Sequence, residues 1–281
     1  MRNLRYVLCD VFTSEPLKGN PLAVFTDARG LDAQTMQDLA REMNLSESVF
    51  LLKPEAGGHA RLRIFTPKRE IPFAGHPTLG TAFVLGGPLS VESVQLETGV
   101  GTISVRLERE AAKIVFAWMT QRVPTAQPFE RADELCRALG VARSELPIIE
   151  YDNGMRHVFV VLDSEQAVAR VQPDFAGIAE LTSAGVNVCA GSGTQFKTRM
   201  FHPTAGVNED PATGSAAGPL LVHMTRHGRA PIGEPVRIAQ GAELSRPSEL
   251  FATVFGSTDQ IERVEVGGAA VILGRGELRI P

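Results

Sequence analysis

His76-Pro77-Thr78-Leu79-Gly80-Thr81-Ala82 returns later in the chain as Asp210-Pro211-Ala212-Thr213-Gly214-Ser215-Ala216. Both segments read as a polar residue, proline, two spacers, glycine, a hydroxyl residue and alanine. Each follows an aromatic-x-proline triplet, Phe65-Thr66-Pro67 or Phe201-His202-Pro203. Proline early and small residues after it suit the first turn of a buried helix. Such a turn leaves backbone N–H groups outside the helical ladder, a natural cradle for an anion. The repeat predicts two related lobes, each giving one helix start to a shared cleft; the competing explanation is a chance match.

Outward from the first segment, residues 5–12 and 23–25 read as strands, and Asp32 as the N-cap of an amphipathic helix over 33–43 with Met36, Leu39, Ala40 and Met43 on one face. Val49-Phe50-Leu51-Leu52, the stretch around Leu62 and Ile64, and residues 94–98, 102–107 and 113–118 read as further strands. The helix from Pro77 to about Leu85 is apolar or small on every side, so it belongs inside. Val123 to Pro128 reads as a linker, followed by an amphipathic helix over 129–139 stopped by Gly140. Strands near 156–162, 185–190 and 194–201 precede the second buried helix, placed from Pro211, whose internal Pro219 should bend or divide it. Strands near 236–240, 250–255, 261–266 and 269–273 end the chain. The expected class is α+β: two similar lobes, 1–122 and 123–281, each a barrel-like mixed sheet wrapped around a central buried helix.

The 281 residues carry 43% hydrophobic and 21% charged side chains, the composition of a globular protein. A net charge of -4 gives no pull toward nucleic acid or anionic lipid. No apolar run approaches the length of a membrane span, and the start of the chain lacks a signal peptide's pattern, so cytoplasmic placement is expected. Cys9, Cys136 and Cys189 cannot make a full disulfide framework; the first two read as packing residues, and Cys189 as the one near a rim. The scattered histidines form no metal-binding pattern, and Trp118 with Phe116 reads as core.

Among titratable residues, Glu47 stands out, between a helix and a strand and flanked by Ser46 and Ser48. With Leu45, Val49 and Phe50 limiting water it suits general acid–base work, the serines orienting it; the alternative is a solvated glutamate in a capping turn. His76 is either a satisfied structural histidine or, with Asp210 at the matching position of the repeat, part of a proton relay. Asp210 reads equally as an N-cap, and Glu209 as solvent-facing. Thr213 and Ser215 are packing residues or hydroxyl donors, and Gly75 and Gly214 admit a close backbone approach.

The ordered set Gly19-Asn20-Pro21-Leu22-Ala23-Val24, Met43 to Phe50, Phe65-Thr66-Pro67, Phe73 to Gly80, Glu209 to Ala216, Arg246-Pro247-Ser248 and Val266-Gly267-Gly268 resembles the phenazine-biosynthesis PhzF-like isomerase family, with its diaminopimelate-epimerase-like fold. The resemblance spans essentially the whole chain. It implies an active site between the lobes and a final strand able to return to the first lobe. By the same match Glu47 corresponds to the catalytic glutamate, His76 and Asp210 to polar residues that bind substrate and assist proton movement, and Gly75 and Ser215 to substrate contacts; Asn20, Ser46, Thr213 and Gly214 are further candidate substrate contacts beside them. No metal or organic cofactor and a homodimer are further implications. Related racemases use two cysteines, and neither helix start carries one here.

The leading expectation is a cofactor-independent isomerase that moves a proton and a double bond on a small cyclic or unsaturated carboxylic acid. A single-carbon epimerase or racemase, and a non-catalytic protein that binds small acids, are the alternatives.

Overall fold

The computed structural model describes residues 2–280 as eighteen strands, six α-helices and two short 3-10 turns. One unit holds residues through Thr120 together with those from Gly267 onward. Its order is β1 (Arg2–Val11), β2 (Asn20–Phe25), α1 (Ala33–Met43), β3 (Glu47–Leu52), β4 (Ala60–Phe65), β5 (Glu70–Ile71), α2 (Gly75–Leu89), β6 (Ser93–Thr98), β7 (Gly101–Glu110) and β8 (Lys113–Gln121). The second unit, Gln121–Val266, contains β9 (Thr125–Pro128), α3 (Ala132–Leu139), β10 (Ile149–Asp152), β11 (Arg156–Val161), α4 (Glu165–Arg170) and α5 (Phe175–Leu181). It continues with β12 (Gly185–Ser192), β13 (Gln195–His202), β14 (Val207–Asp210), α6 (Gly214–Arg226), β15 (Val236–Gln240), β16 (Ser248–Gly256) and β17 (Ile261–Gly268). The last strand, β18 (Ala270–Ile280), belongs to the first unit.

In the first unit the hydrogen-bonded order is β18-β1-β2-β3-β4-β6-β7-β8, with β2–β3 and β4–β6 parallel and the other neighbours antiparallel. Strand β18 covers β1 from Arg2 opposite Ile280 to Val11 opposite Ala270. Period-two alternation divides each strand between two helices. Ala23 and Phe25 of β2 and Phe50 of β3 turn toward α1, where they pack with Met36, Leu39 and Ala40. Phe25 and Phe50 stack there at 4.7 Å. Leu22 and Val11 turn the other way, against Gly80 of α2. That helix touches β1, β2, β3, β6, β7 and β18, so the sheet curves around it. It carries no amphipathic stripe because every residue from Gly75 to Val84 is buried, and only its last turn, Gly87 to Leu89, is exposed.

The second unit repeats this plan with the order β9-β10-β11-β12-β13-β15-β16, in which β11–β12 and β13–β15 are parallel. Val158, Val160, Val186 and Val188 face a cluster with Leu135, Leu139, Val168 and Ile178 from α3, α4 and α5. The opposite face packs α6, buried from Gly214 to Thr225. The α+β class with a sheet around a buried helix is therefore the observed one.

Several expectations need correction. The proposed linker contains β9, which pairs along β10. Residues 163–184, passed over in the sequence, supply α4 and α5, the crossover that a parallel β11–β12 pair requires. The second buried helix starts at Gly214, not at Pro211. Its start therefore matches α2 as Gly214 to Gly75 and Ser215 to His76, a register that pairs His76 with Ser215 and not with Asp210. Pro219 does not divide α6. Proline cannot donate to the carbonyl four residues back, that of Ser215, but Asn153 Nδ2 donates to that oxygen instead, at 2.9 Å. Glu209 is not solvent-facing: it makes a two-pronged pair with Arg199 at 2.8 and 2.9 Å, and Arg199 also donates to carbonyls around the end of α4. Trp118 and Phe116 are half-buried, and the indole N–H reaches Glu108 at 2.9 Å.

Leu79 is fully covered in α2, so Leu79→Ala should cost about 2–5 kcal/mol of unfolding free energy, whereas Leu17→Ala, at a residue 70% exposed, should stay within about 0.5 kcal/mol of wild type. Urea titrations followed by circular dichroism compare the two; equal losses would contradict the placement of α2.

Candidate active site

Strand alternation decides what Glu47 can meet. It opens β3 opposite Leu22 of β2 and shares the α2 face with Val49 and Leu51. Helix α2 begins at Gly75 because Ala74 is extended and Pro77 fits an early helical turn. The first carbonyl of the turn, that of Ala74, accepts from Thr78 N at 3.3 Å and from Thr78 Oγ1 at 2.7 Å. Pro77 has no N–H, which leaves the N–H groups of Gly75 and His76 outside the helical ladder.

His76 extends from this turn so that its Nε2 lies 3.5 Å from Glu47 Oε2, with the two side chains 3% and 14% exposed. On the other side of the ring, Nδ1 lies 3.1 Å from Asn20 Nδ2. With the amide nitrogen on Nδ1, the ring proton belongs to Nε2, directed at the glutamate. Burial pushes His76 down to about 3, so the imidazole is neutral at ordinary pH. Asn20 is held there because Gly19 takes φ +64° just before it, where a Cβ would collide with the backbone oxygen of Val11. Glu47, His76, Asn20 and Gly75 thus converge. Ser46 lies half-buried in the turn beside Glu47. Ser48 does not orient the glutamate: it points to the α1 face, its hydroxyl buried without a hydrogen-bond partner among the described residues.

In the second unit Asp210, Thr213, Gly214 and Ser215 also gather. Asp210 is not an N-cap; that position is Thr213. Thr213 Oγ1 donates to Asp210 Oδ2 at 2.7 Å. Gln240 of β15 holds the turn, accepting from Thr213 N at 3.0 Å and donating to Asp210 O at 2.8 Å and Thr213 Oγ1 at 2.9 Å. Gly214 O accepts from Gln121 Nε2 at 2.8 Å. Ser215 Oγ lies 3.0 Å from His157 Nε2. Gln121, Asn153, Asn187, Gln240 and His157 also hold these turns, though no motif in the sequence marks them. The available signal was a polar residue on the inward phase of an apolar strand, as in His157-Val158-Phe159 and Val186-Asn187-Val188.

Cys189 is fully buried, not at a rim, and burial pushes its thiol up; Cys9 is likewise raised, to about 12. Among the described residues no cluster of three or more His, Cys, Asp or Glu side chains is placed to hold a metal ion. A hollow of about 550 Å³ in the first unit is lined by Glu55, Arg61, Arg63, Glu70 and Glu97, and Glu47 is not part of its wall.

The family model described as phenazine biosynthesis-like protein matches residues 9–276. The chain is 50% identical over 273 residues to a trans-2,3-dihydro-3-hydroxyanthranilate isomerase of Pseudomonas fluorescens, covering 97% of this chain and 98% of that one. Against the protein of the same description from Pseudomonas aeruginosa the identity is 48%, with the same coverage. A crystal structure of a PhzF-family phenazine biosynthesis protein from Bacillus anthracis shares the fold, with a TM-score of 0.86 at 24% identity over 100% of both chains.

Burial also holds His157 and His223 at about 3, against 6.5 for the free side chain. Below pH 6.5 the unfolded chain binds protons that these folded rings refuse, so stability is full above that value and falls as pH drops toward 3. At pH 5 each ring should cost about 2 kcal/mol relative to pH 7.5. Urea midpoints across this range should fall, and His223→Phe should give a shallower slope; a slope unchanged by that substitution would contradict a neutral buried ring.

Proposed function

The chain belongs to the phenazine biosynthesis-like protein family and is an isomerase of a small cyclic or unsaturated carboxylic acid, and from that premise we propose that Glu47 is its proton-transfer base, acting on trans-2,3-dihydro-3-hydroxyanthranilate or a close relative. The observation that carries this reading is the half-enclosed Glu47 carboxylate 3.5 Å from the Nε2 of a buried, neutral His76.

Glu47 takes a proton from a carbon beside the double bond, the electron pair shifts the double bond by one position, and the proton returns to the far carbon. No electrons are gained or lost overall. With a pKa near 3 His76 is not a proton store at neutral pH; its neutral ring, 3.5 Å from the carboxylate, limits where Glu47 can lie. The ladder-free N–H groups of Gly75 and His76 suit an anionic oxygen of the substrate. Ser215 is assigned as a substrate contact, and Asp210 as a polar partner of the reaction, on the family resemblance; Asn20 and Ser46 are assigned as contacts by their place beside His76 and Glu47, and Thr213 and Gly214 by theirs beside Ser215. The N2 positions of the two buried helices carry His76 and Ser215, so the two-thiol route of racemases has no counterpart here. A cytoplasmic homodimer that binds no nucleic acid completes the proposal: three free, buried cysteines suit a reducing compartment, the net charge is negative, and the dimer follows from the resemblance.

Incubating wild type and Glu47→Gln with trans-2,3-dihydro-3-hydroxyanthranilate in heavy water, followed by proton NMR, tests this. Wild type should move the double bond and take up deuterium, while Glu47→Gln stays folded and turns over about 10²–10⁴ times more slowly. Equal rates would remove Glu47 from the chemistry.

A further inference from the structure

One histidine of the second unit has no task in the reaction described above. His157 lies on β11 with its side chain toward α6, and it is 1% exposed. Its Nε2 is 3.0 Å from Ser215 Oγ, and its Nδ1 is 3.4 Å from Asn187 Nδ2. The same amide nitrogen faces the carbonyl oxygens of Val158 at 3.3 Å and Gly185 at 3.2 Å. Turning the amide over would set oxygen against two carbonyl oxygens, so the nitrogen end is fixed. Nδ1 is then the acceptor, and the single ring proton sits on Nε2, aimed at the serine.

That assignment fixes Ser215 as well. Its oxygen accepts from His157, so its own hydrogen is directed elsewhere, and the hydroxyl becomes an oriented donor. The backbone is held by the Asn153 amide on the carbonyl that Pro219 leaves without a donor. Gly185, opposite His157 in the parallel pair, makes room for the ring: a Cβ there would come within 2.9 Å of Nδ1. Side chain, main chain and the neighbouring strand all constrain one hydroxyl.

We propose that His157 is a positioning residue for the isomerase, holding Ser215 as a hydrogen-bond donor to an oxygen of the acid substrate. The proposal rests on Ser215 being a substrate contact. A purely structural His157 would fill space and stabilise the fold without any coupling to Ser215 in ligand binding.

Two measurements on the full chain separate these roles. Nitrogen-15 NMR of the histidine side chains, with His157→Gln locating the signal, should show His157 neutral with its proton on Nε2, and Ser215→Ala should shift that resonance. A proton on Nδ1, a charged ring, or no response to Ser215→Ala overturns the proposal without reference to any ligand. Calorimetric titration with 3-hydroxyanthranilate, a planar analogue bearing the same three polar groups, reads the coupling. Ser215→Ala and His157→Phe should each weaken binding about tenfold or more, His157→Phe should add nothing in the Ser215→Ala background, and His157→Gln, which keeps an N–H donor, should restore most of the affinity. Additive losses, or a fall in Tm with unchanged affinity, overturn it. Wild type that neither binds this analogue nor turns over trans-2,3-dihydro-3-hydroxyanthranilate defeats the substrate reading and, with it, the role in binding, while the NMR result still decides the His157–Ser215 contact.

Discussion

Burying a helix on every side forces its first turn, with its spare donors and polar side chains, into a medium that does not solvate them. Both α2 and α6 are in this position, and the polar features of each unit answer to it. An unsatisfied buried polar group costs about 1–3 kcal/mol, enough to consume a large part of a domain's stability. The response is a set of amide side chains from strands and a neighbouring turn: Asn20 on His76, Gln240 on the Asp210–Thr213 turn, and Gln121 with Asn153 of the β10–β11 turn on the carbonyls of α6. The same dry surroundings that demand these partners keep the imidazole of His76 neutral and place a carboxylate beside it. Chemistry and packing obey one constraint here.

The two units meet that constraint with related parts in different places. In each, glycine takes the first helical position and a polar residue the second. In the first unit the histidine is on the helix and an asparagine from β2 supports its ring. In the second a serine is on the helix, and the histidine, supported by an asparagine from β12, comes from β11. A longer polar chain on the helix needs only a short partner, whereas the serine leaves space that a strand-borne ring occupies.

Much of this was legible in the residues. Helix α1 ran over 33–43 as its Asp32 cap and apolar spacing indicated, because a surface helix carries an amphipathic stripe. Helix α2 declared itself by the opposite sign, an apolar run with no polar side. The start of α6 was less legible because Asp210-Pro211 carries an N-terminal signal that the chain spends on a turn pinned by Gln240, thirty residues away. The short helices α4 and α5 were passed over; six or seven residues hold too few turns for periodicity to register. Glu47 and His76 could be named individually, but their proximity and the support from Asn20 depend on strand register. His157 and Gln240 looked ordinary for the same reason: a buried partner is defined by what faces it.

The pairing of β18 along the whole of β1 joins strands far apart in the sequence, with Arg2 opposite Ile280. A ribosome delivers β1 well before β18, so the sheet around α2 keeps an open edge until β18 has been made. Residues 121–266, contiguous in sequence, meet no such wait. During synthesis the second unit can therefore be finished while the unit holding Glu47 still exposes an unpaired strand, the species most open to wrong pairing or capture by a chaperone. The order of manufacture seals the base-bearing unit after its neighbour.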